Sequence, residues 1–141
     1  MTRRRLMDLE CPKCGARQTV SLYDSINVSI DPSLKEKLFK GEINVFQCER
    51  CDQKIFVANP LLYHDMEKHL LVQFYPFHAI EDKDFLHQFS KEGEYSNEMV
   101  KTFPKGLRET FKRIHLVFDM EELIRFVVFR DKLHELWAKA S

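Results

Sequence analysis

Four cysteines in two close pairs constrain this chain more than any other feature of its sequence. Two residues separate Cys11 from Cys14, and two separate Cys48 from Cys51. This spacing lets the chain turn so that both sulfurs of a pair face one ion, while backbone N–H groups of the turn face the sulfurs. Strand-like sequence flanks each pair, so each turn is expected at a hairpin tip. The pattern predicts a zinc ribbon with one four-cysteine site.

The residues beside the cysteines support this interpretation. Gly15 follows the first pair and Asp52 the second, where the turn needs a left-handed backbone. Four thiolates around a divalent cation leave a formal charge of about −2. Basic side chains flank the pairs and can offset that charge: Lys13, Arg17, Arg50 and Lys54.

Three other chemistries use cysteines at similar spacing. Rubredoxins bind iron with the same tetrahedral geometry, but they are shorter and strongly acidic. A thioredoxin-like redox pair needs its cysteines at the start of a helix, whereas Gly15 leads into a strand-like sequence. A catalytic zinc keeps an open coordination position, and four cysteines close the shell. We therefore expect one structural zinc ion, with iron as the less favoured metal.

Charge and hydropathy limit the partners of the chain. Its 141 residues include 22 basic and 22 acidic side chains, so the formal net charge is zero. A neutral chain has no overall attraction to nucleic acid or anionic lipid, although residues 3–5 form a local run of arginines. The best apolar run, residues 70–77, is far shorter than the roughly 20 residues of a membrane-spanning helix. We expect no membrane partner.

The start of the sequence does not resemble a secretory signal. Asp8, Glu10 and the first cysteines interrupt any apolar segment after the arginine run. We therefore expect a cytoplasmic protein. In that reducing compartment cysteines remain thiols and bind metal instead of forming disulfides.

Hydrophobic periodicity predicts a mixed α+β fold in two segments. Residues 6–79 are expected to form the zinc-ribbon domain, an antiparallel β unit with one short helix. Residues 80–141 are expected to form an aromatic-rich α/β extension in helix–strand–helix order, ending in a helix. The extension can also pack with the ribbon as one unit.

Alternating polar and apolar residues predict the strands. They are expected at residues 18–23, 26–30, 43–46, 54–57, 70–75 and 114–118. The segment 91–106 contains Gly, Ser, Asn and Pro and is expected to be a loop.

Capping residues predict the helices. Asp31 is expected to cap a short helix with Pro32 at its first position, and Gly41 to end it. A second helix is expected at residues 81–89. Asp119 is expected to cap the last helix, with apolar residues at helical spacing behind it.

Residues 60–69 hold the densest group of polar side chains outside the cysteines. One hypothesis is an open metal or acid–base site built on His64, Asp65 and His69. Residues five apart on a helix point about 140° apart, however, so the two imidazoles would not meet at one ion. We therefore expect a structural role, with Asp65 capping a helical turn and Tyr63 hydrogen-bonded, and no catalytic residue.

Five segments resemble the CpXC-type domain, a family named for its cysteine knuckles. They are Cys11-Pro12-Lys13-Cys14-Gly15, Tyr23-Asp24-Ser25-Ile26-Asn27-Val28, Asp31-Pro32 with Leu34-Lys35-Glu36-Lys37-Leu38, Asn44-Val45-Phe46-Gln47-Cys48, and Pro60-Leu61-Leu62-Tyr63-His64-Asp65. The resemblance spans residues 11–77. In the second knuckle Glu49 and Asp52 replace the proline and glycine that members often carry, so a looser turn is expected there. The resemblance implies a zinc-binding ribbon module and no particular activity.

These observations favour a zinc-binding protein that acts as a non-enzymatic protein-binding module. In this interpretation the carboxy-terminal segment presents or completes the binding surface. The first alternative is a nucleic-acid-binding zinc ribbon that uses the arginine run with Lys13 and Arg17. The second alternative is a hydrolase-like enzyme that uses His64 and Asp65.

Overall fold

The computed structural model of the chain describes residues 2–95 and 102–140. Within these residues the elements are β1 (Arg3–Glu10), β2 (Arg17–Asn27), α1 (Ser33–Phe39), β3 (Val45–Gln47), β4 (Lys54–Phe56), β5 (Leu61–Asp65), β6 (Leu70–Phe74), α2 (Lys83–Leu86), α3 (Lys105–Lys112), β7 (His115–Val117) and α4 (Met120–Ala140). A 3₁₀ helix at Phe77–Glu81 precedes α2. The arrangement confirms the predicted α+β class and the carboxy-terminal helix.

Five strands form one mixed sheet in the order β1-β2-β5-β6-β7. The β1–β2 and β5–β6 pairs are antiparallel, whereas β2–β5 and β6–β7 are parallel. Parallel neighbours need long crossover connections. The first connection contains α1 and the separate β3–β4 hairpin, and the second contains α2 and α3.

One apolar core joins the sheet to α1 and α4. Its buried members are Ile26, Val28, Leu34, Leu38, Ile43, Leu61, Tyr63, Leu70, Val72, Phe74, Val117, Leu123 and Val127. Leu123 and Val127 come from the extension, and β7 of the extension pairs with β6. The extension and the first segment therefore share a sheet and a core, while the boundary between residues 79 and 80 stays a prediction.

An ion-pair network fastens α4 to the rest of the fold. Asp131 on α4 pairs with Lys35 of α1 at 2.8 Å and with Lys68, in the β5–β6 turn, at 3.0 Å. Lys68 also pairs with Asp65 at the end of β5, at 3.2 Å. These side chains are 6–24% exposed. The network, defined by these four residues, is referred to below as the charged clamp.

Several local predictions agree with the elements found. Strands β3, β4, β6 and β7 fall within or beside predicted runs, and Gly41 adopts φ 71° after α1. Asp119 caps α4, because its Oδ1 accepts a hydrogen bond from the Glu121 N–H at 2.8 Å.

Other strand predictions were wrong in position or kind. Residues 28–30 form a turn after the continuous strand β2, not a strand of their own. Residues 61–65 form β5, a strand that was not predicted, although Asp65 at its end accepts a hydrogen bond from the Lys68 N–H at 3.4 Å in the turn that follows, as expected of a cap. Strand β1 was not predicted, because in its eight residues only Met7 and Leu9 are even half-buried, which leaves no clear apolar alternation.

The helix predictions also need correction. Helix α1 begins at Ser33 without a side-chain cap, because the Asp31 carboxylate instead accepts a hydrogen bond from the Thr2 hydroxyl at 2.7 Å. The second predicted helix is divided between the 3₁₀ helix and α2, with Asp82 capping α2. The predicted loop at 91–106 ends where α3 begins, at Lys105, and its residues 96–101 lie outside the described part of the chain.

Candidate metal centre

The first cysteine pair lies at the tip of the β1–β2 hairpin. The Gly15 N–H donates to the Cys11 carbonyl at 2.8 Å, and the Cys11 N–H donates to the Ala16 carbonyl at 2.8 Å. Gly15 has φ 75°, the left-handed conformation that a residue without Cβ adopts at no steric cost. Both features match the turn that the sequence predicts.

The second pair lies at the tip of the β3–β4 hairpin and repeats the same turn. The Asp52 N–H donates to the Cys48 carbonyl at 3.0 Å, and the Cys48 N–H donates to the Gln53 carbonyl at 2.9 Å. Asp52 has φ 60°, which Asp tolerates better than most residues. The expected loosening of this turn is therefore not seen in its backbone hydrogen bonds.

The two tips bring all four sulfurs together. The Sγ atoms of Cys11 and Cys51 are 3.6 Å apart, and those of Cys14 and Cys48 are 3.5 Å apart. All four Sγ atoms lie within 4.8 Å of one another, and all four cysteines are free thiols. Sulfurs bound tetrahedrally at about 2.3 Å would be about 3.8 Å apart. The spacing therefore fits a metal ion with four thiolate ligands.

Backbone N–H groups in the turns favour the thiolate form of the first cysteine in each pair. The Cys14 N–H, opposed by burial and assisted by the Lys13 N–H, lowers the pKa of Cys11 to about 7. The Cys51 N–H likewise lowers the pKa of Cys48, against the effect of burial. These N–H groups face the sulfurs as the sequence predicts, and they stabilise the charge that a metal ligand must carry.

Crowding of the sulfurs has the opposite effect at the last cysteine. The Gln53 N–H favours the Cys51 thiolate, but burial and the three neighbouring thiols together raise the pKa of Cys51 to about 12. Four thiolates cannot all form at this spacing without a compensating charge. A divalent cation supplies that charge, which is a second reason why the residues fit a metal.

An amide side chain bridges the two tips. Gln18 on β2 donates from Nε2 to the Gln47 carbonyl at 2.7 Å, and its Oε1 accepts from the Glu49 N–H at 3.0 Å. Gln18 thus holds the second hairpin against the first just beside the cysteines. Sequence reasoning did not identify it, because a polar residue at an alternate strand position is also what a solvated strand face contains.

Two buried asparagines attach the β3–β4 hairpin to β2. Asn44 accepts a hydrogen bond from the Tyr23 N–H at 2.7 Å and donates to the Tyr23 carbonyl at 3.0 Å. Asn59 also donates to that carbonyl, at 2.9 Å, and accepts from Arg5 at 2.6 Å. Asn next to a strand-like run could have indicated a special backbone position, and Asn44 indeed has φ 56°.

A small apolar cluster lies under the sulfurs. Cys11, Phe46 and Cys48 are buried at its centre. Partly buried residues surround them: Leu9, Cys14, Ala16, Val20, Cys51, Ile55 and Val57. This cluster is separate from the main core, so the site has its own support.

The predicted basic flanks are exposed around the tips, but they alternate with acidic residues. Lys13, Arg17, Arg50 and Lys54 are exposed, and so are Glu10, Glu49 and Asp52. In the arginine run, Arg5 pairs with Asp24 at 3.1 Å, so part of its charge is already compensated.

The histidine and acidic cluster does not assemble into one site. His64 and Asp65 are neighbours on β5, so their side chains point to opposite faces of the sheet. Asp65 is buried in the charged clamp, whereas His69 is exposed at the end of the β5–β6 turn. Among the described residues, only the four cysteines form a group of three or more side chains able to hold a metal.

Tyr63 differs from the sequence prediction. Its side chain is fully buried, but its hydroxyl has no hydrogen-bond partner, although one was expected. Burial, with Asp65 and Asp131 nearby, raises the pKa of Tyr63 well above its usual value.

No helix in the described part of the chain is both long enough and apolar enough to cross a bilayer. Comparison with known proteins finds no significant match among curated proteins and none among solved structures. The family model for the CpXC protein matches residues 9–138, which extends well beyond the segment 11–77 on which the resemblance rests. The matched residues include both cysteine pairs, the shared core and most of α4. The chain therefore belongs to the CpXC family.

Proposed function

We propose that this CpXC protein is a zinc-stabilised, non-enzymatic module that binds another protein. The observation that carries the proposal is the approach of four free thiols to within 4.8 Å at the tips of two hairpins. A shell of four cysteines leaves no coordination position for a substrate or an activated water, so the metal stabilises the fold.

Zinc is favoured over iron by the kind of chain that surrounds the site. Both metals accept four thiolates in tetrahedral geometry. The rubredoxins that use iron are short and acidic, whereas this chain is neutral and carries a long second segment. A redox-inert ion suits a site that only joins two hairpins.

Metal analysis tests the zinc site. The chain purified under reducing conditions should contain one zinc per molecule, and Cys48→Ser should lose it because three thiolates bind less tightly than four. Asp52→Gly is the matched control, since it keeps the sulfurs and a residue suited to positive φ. Less than half an equivalent of zinc, or a red iron chromophore, would contradict the proposal.

Capture of partners tests the binding role. The tagged, zinc-loaded chain should retain a specific protein from its native host, identified by mass spectrometry, and His64→Ala should leave that capture unchanged. The separation of His64 from Asp65 across the sheet supports a structural role for both. If the unmodified chain has a hydrolytic activity that His64→Ala lacks, the hydrolase-like alternative is favoured instead. If the tagged chain retains nucleic acid from the host, the nucleic-acid-binding alternative is favoured.

A further inference from the structure

Helix α4 carries a second apolar surface beside its core-facing side. Its inner face contributes Leu123 and Val127 to the core. Beside that face lie Phe126, Phe129, Leu133, Leu136 and Trp137, which we call the outer stripe; Phe126 and Leu133 are half-buried, and Phe126 also packs against the main core. Phe129, Leu136 and Trp137 are 55%, 62% and 66% exposed. Large apolar side chains this exposed on one helix face indicate an interaction surface.

The outer stripe has the spacing of a helix-pairing surface. Phe126, Phe129, Leu133 and Leu136 are separated by three, four and three residues. This is the a/d spacing of a coiled coil, in which a partner helix inserts its side chains between those of the first helix. The four residues extend over about 15 Å, or about three helical turns.

Two hollows along the stripe offer places for such side chains. One, of about 390 Å³, lies beside Phe126 and Phe129 and is also lined by Val117. Its wall is fixed because the His115 ring stacks on Phe126 with centroids 3.8 Å apart. A second, of about 190 Å³, lies beside Leu133 and Trp137 and is otherwise lined by Lys68, Arg130 and His134.

The charges that border the stripe are basic. Arg125, Lys132 and Lys139 follow one another at seven-residue spacing along one border, and all three are exposed. Arg130 lies on the other border, where it donates to the Lys68 carbonyl at 3.2 Å. Charges at these flanking positions set which partner a coiled-coil surface accepts. Arg125 is already paired with Glu121 at 3.3 Å, so Lys132 and Lys139 are the charges of this border that complement a helix with acidic flanks.

The same charges disfavour a second copy of this chain as the partner. In a parallel pair, Arg125 of one copy would face Arg130 of the other. In an antiparallel pair, the two Lys132 side chains would face each other, and Arg125 would face Lys139. Both arrangements place like charges together, so the surface opposes self-pairing.

An anionic membrane is also a poorer fit. Glu122 lies on the same line as the stripe, four residues before Phe126, and is exposed. A helix lying in a membrane surface would carry this carboxylate into the anionic headgroups. A partner helix can end before it or place a basic residue opposite.

We propose that the outer stripe of α4 binds an amphipathic helix with acidic flanks, contributed by a partner protein. This inference rests on the proposed protein-binding role and assigns it to a surface. The two hollows and the a/d spacing supply the apolar contacts, and the basic border supplies the charge selectivity.

Two synthetic three-heptad peptides test this surface. Both have leucine at every a and d position, and one has glutamate and the other lysine at every e and g position. Titration of the fluorescent peptides with the full zinc-loaded chain should show at least about ten-fold tighter binding of the acidic peptide. Leu136→Ser should weaken binding of that peptide about ten-fold, while the circular dichroism spectrum of the chain stays unchanged.

Charge reversal provides the decisive comparison. The double variant Lys132→Glu/Lys139→Glu should reverse the preference and bind the basic peptide more tightly. Lys37→Glu/Lys40→Glu is the matched control. Both lysines are exposed on or beside α1, so these substitutions reverse the same amount of charge at a distance from the stripe. The control should keep the preference of the unmodified chain.

Four outcomes would overturn the inference. Two concern the peptides: equal or absent binding of both, or a preference for the acidic peptide that survives the charge reversal at Lys132 and Lys139. The other two concern different partners: a dimer in light scattering that Leu136→Ser converts to monomer, or sedimentation with phosphatidylcholine–phosphatidylserine vesicles that Leu136→Ser abolishes. A host protein still captured by the Lys132→Glu/Lys139→Glu variant would contradict this surface while leaving the proposed binding role intact.

Discussion

Tyr63 combines a well-packed ring with a buried hydroxyl that has no hydrogen-bond partner. Its ring fills the main core, yet its hydroxyl is buried without a hydrogen-bond partner. Burying an unpaired hydroxyl costs about 1–3 kcal/mol in proteins. The ring contributes the apolar contacts of a core residue, and the hydroxyl reduces that gain.

Removing this hydroxyl should therefore stabilise the protein. We expect Tyr63→Phe to raise the free energy of unfolding by up to about 1 kcal/mol, because the ring contacts remain and the desolvation cost disappears. Urea unfolding followed by circular dichroism measures the change.

The matched control removes a hydroxyl that has a partner. Tyr75→Phe leaves the Tyr95 hydroxyl without the hydrogen bond that joins the two rings, so it should cost about 0.5–1.5 kcal/mol. Destabilisation of similar size in both variants would mean that Tyr63 has a partner in solution.

Residues with a fixed chemical role were predicted from the sequence, whereas residues with only a positional role were not. The cysteines, Gly15 and Asp52 were identified because ligand spacing and a left-handed turn restrict the residue types that fit. The hydrogen-bond partners of Gln18 and Asn44 could not be identified in this way, although Asn44 carries the local signal of a left-handed position. Their hydrogen bonds join segments that are distant in sequence, and any surface amide has the same local pattern.

Among elements, α4 depends on the charged clamp for its position over the sheet. Burial opposes ionisation of Asp131, but Lys35 and Lys68 outweigh it and hold the pKa of Asp131 below its usual value. Burial similarly opposes the charged form of Lys68, but Asp131 and Asp65 raise its pKa above the usual value. Asp131 and Lys68 are therefore both charged at neutral pH.

Neutralising the centre of the clamp should destabilise the fold in a pH-dependent way. At pH 7 we expect Asp131→Asn to cost about 1–2 kcal/mol, less than a fully buried pair because the groups are partly exposed. A lowered carboxyl pKa stabilises the fold above about pH 4 and ceases to do so as the pH falls through the folded-state value. The difference from the unmodified chain should thus shrink below about pH 4.

An exposed pair provides the control for this measurement. Glu121 and Arg125 pair at 3.3 Å on the surface of α4, with both side chains more than 70% exposed. Glu121→Gln should change stability by less than about 0.5 kcal/mol. Equal effects of the two substitutions in urea titrations at pH 7 would contradict a stabilising role for the clamp.

The elements missed by sequence analysis are those whose exposure or pairing depends on distant residues. Strand β1 lies at one edge of the sheet and pairs only with β2, so most of its side chains are exposed. Its sequence therefore lacks a clear alternation of apolar and polar residues. Strand β5 contains Tyr63, His64 and Asp65, for which a polar cluster and no strand was predicted. It is a strand because it lies between β2 and β6, where both of its edges are hydrogen-bonded.

On the scale of the molecule, two separate apolar clusters stabilise different parts of the fold. The main core holds the sheet, α1 and α4, and the smaller cluster lies under the sulfurs. Strands β3 and β4 have three residues each, which is too few to form a stable hairpin alone. In the proposed function, the ion held by the four cysteines stabilises this second cluster.

Removal of the metal should therefore loosen one part of the molecule more than the other. After chelation under reducing conditions, we expect rapid amide exchange in β3, β4 and the tip of β1–β2, with protection retained in β5, β6 and the first half of α4. Hydrogen exchange with mass spectrometry measures both regions. Simultaneous loss of protection in β6 would show that the metal supports the whole fold instead.

The parallel pairs in the sheet also decide when this chain can fold during its synthesis. Strand β2 can pair with β5 only after residues 28–60 have been synthesised. Strand β6 can pair with β7 only after residues 75–114 have been synthesised. Closing such long loops lowers the conformational entropy of the chain before the strand contacts form that offset this cost. An ion held by the four cysteines would join the tip of β1–β2 to residues 48–51 and so restrict the first connection before β5 has been made. Metal supply during translation should then govern how quickly the nascent chain reaches its native state.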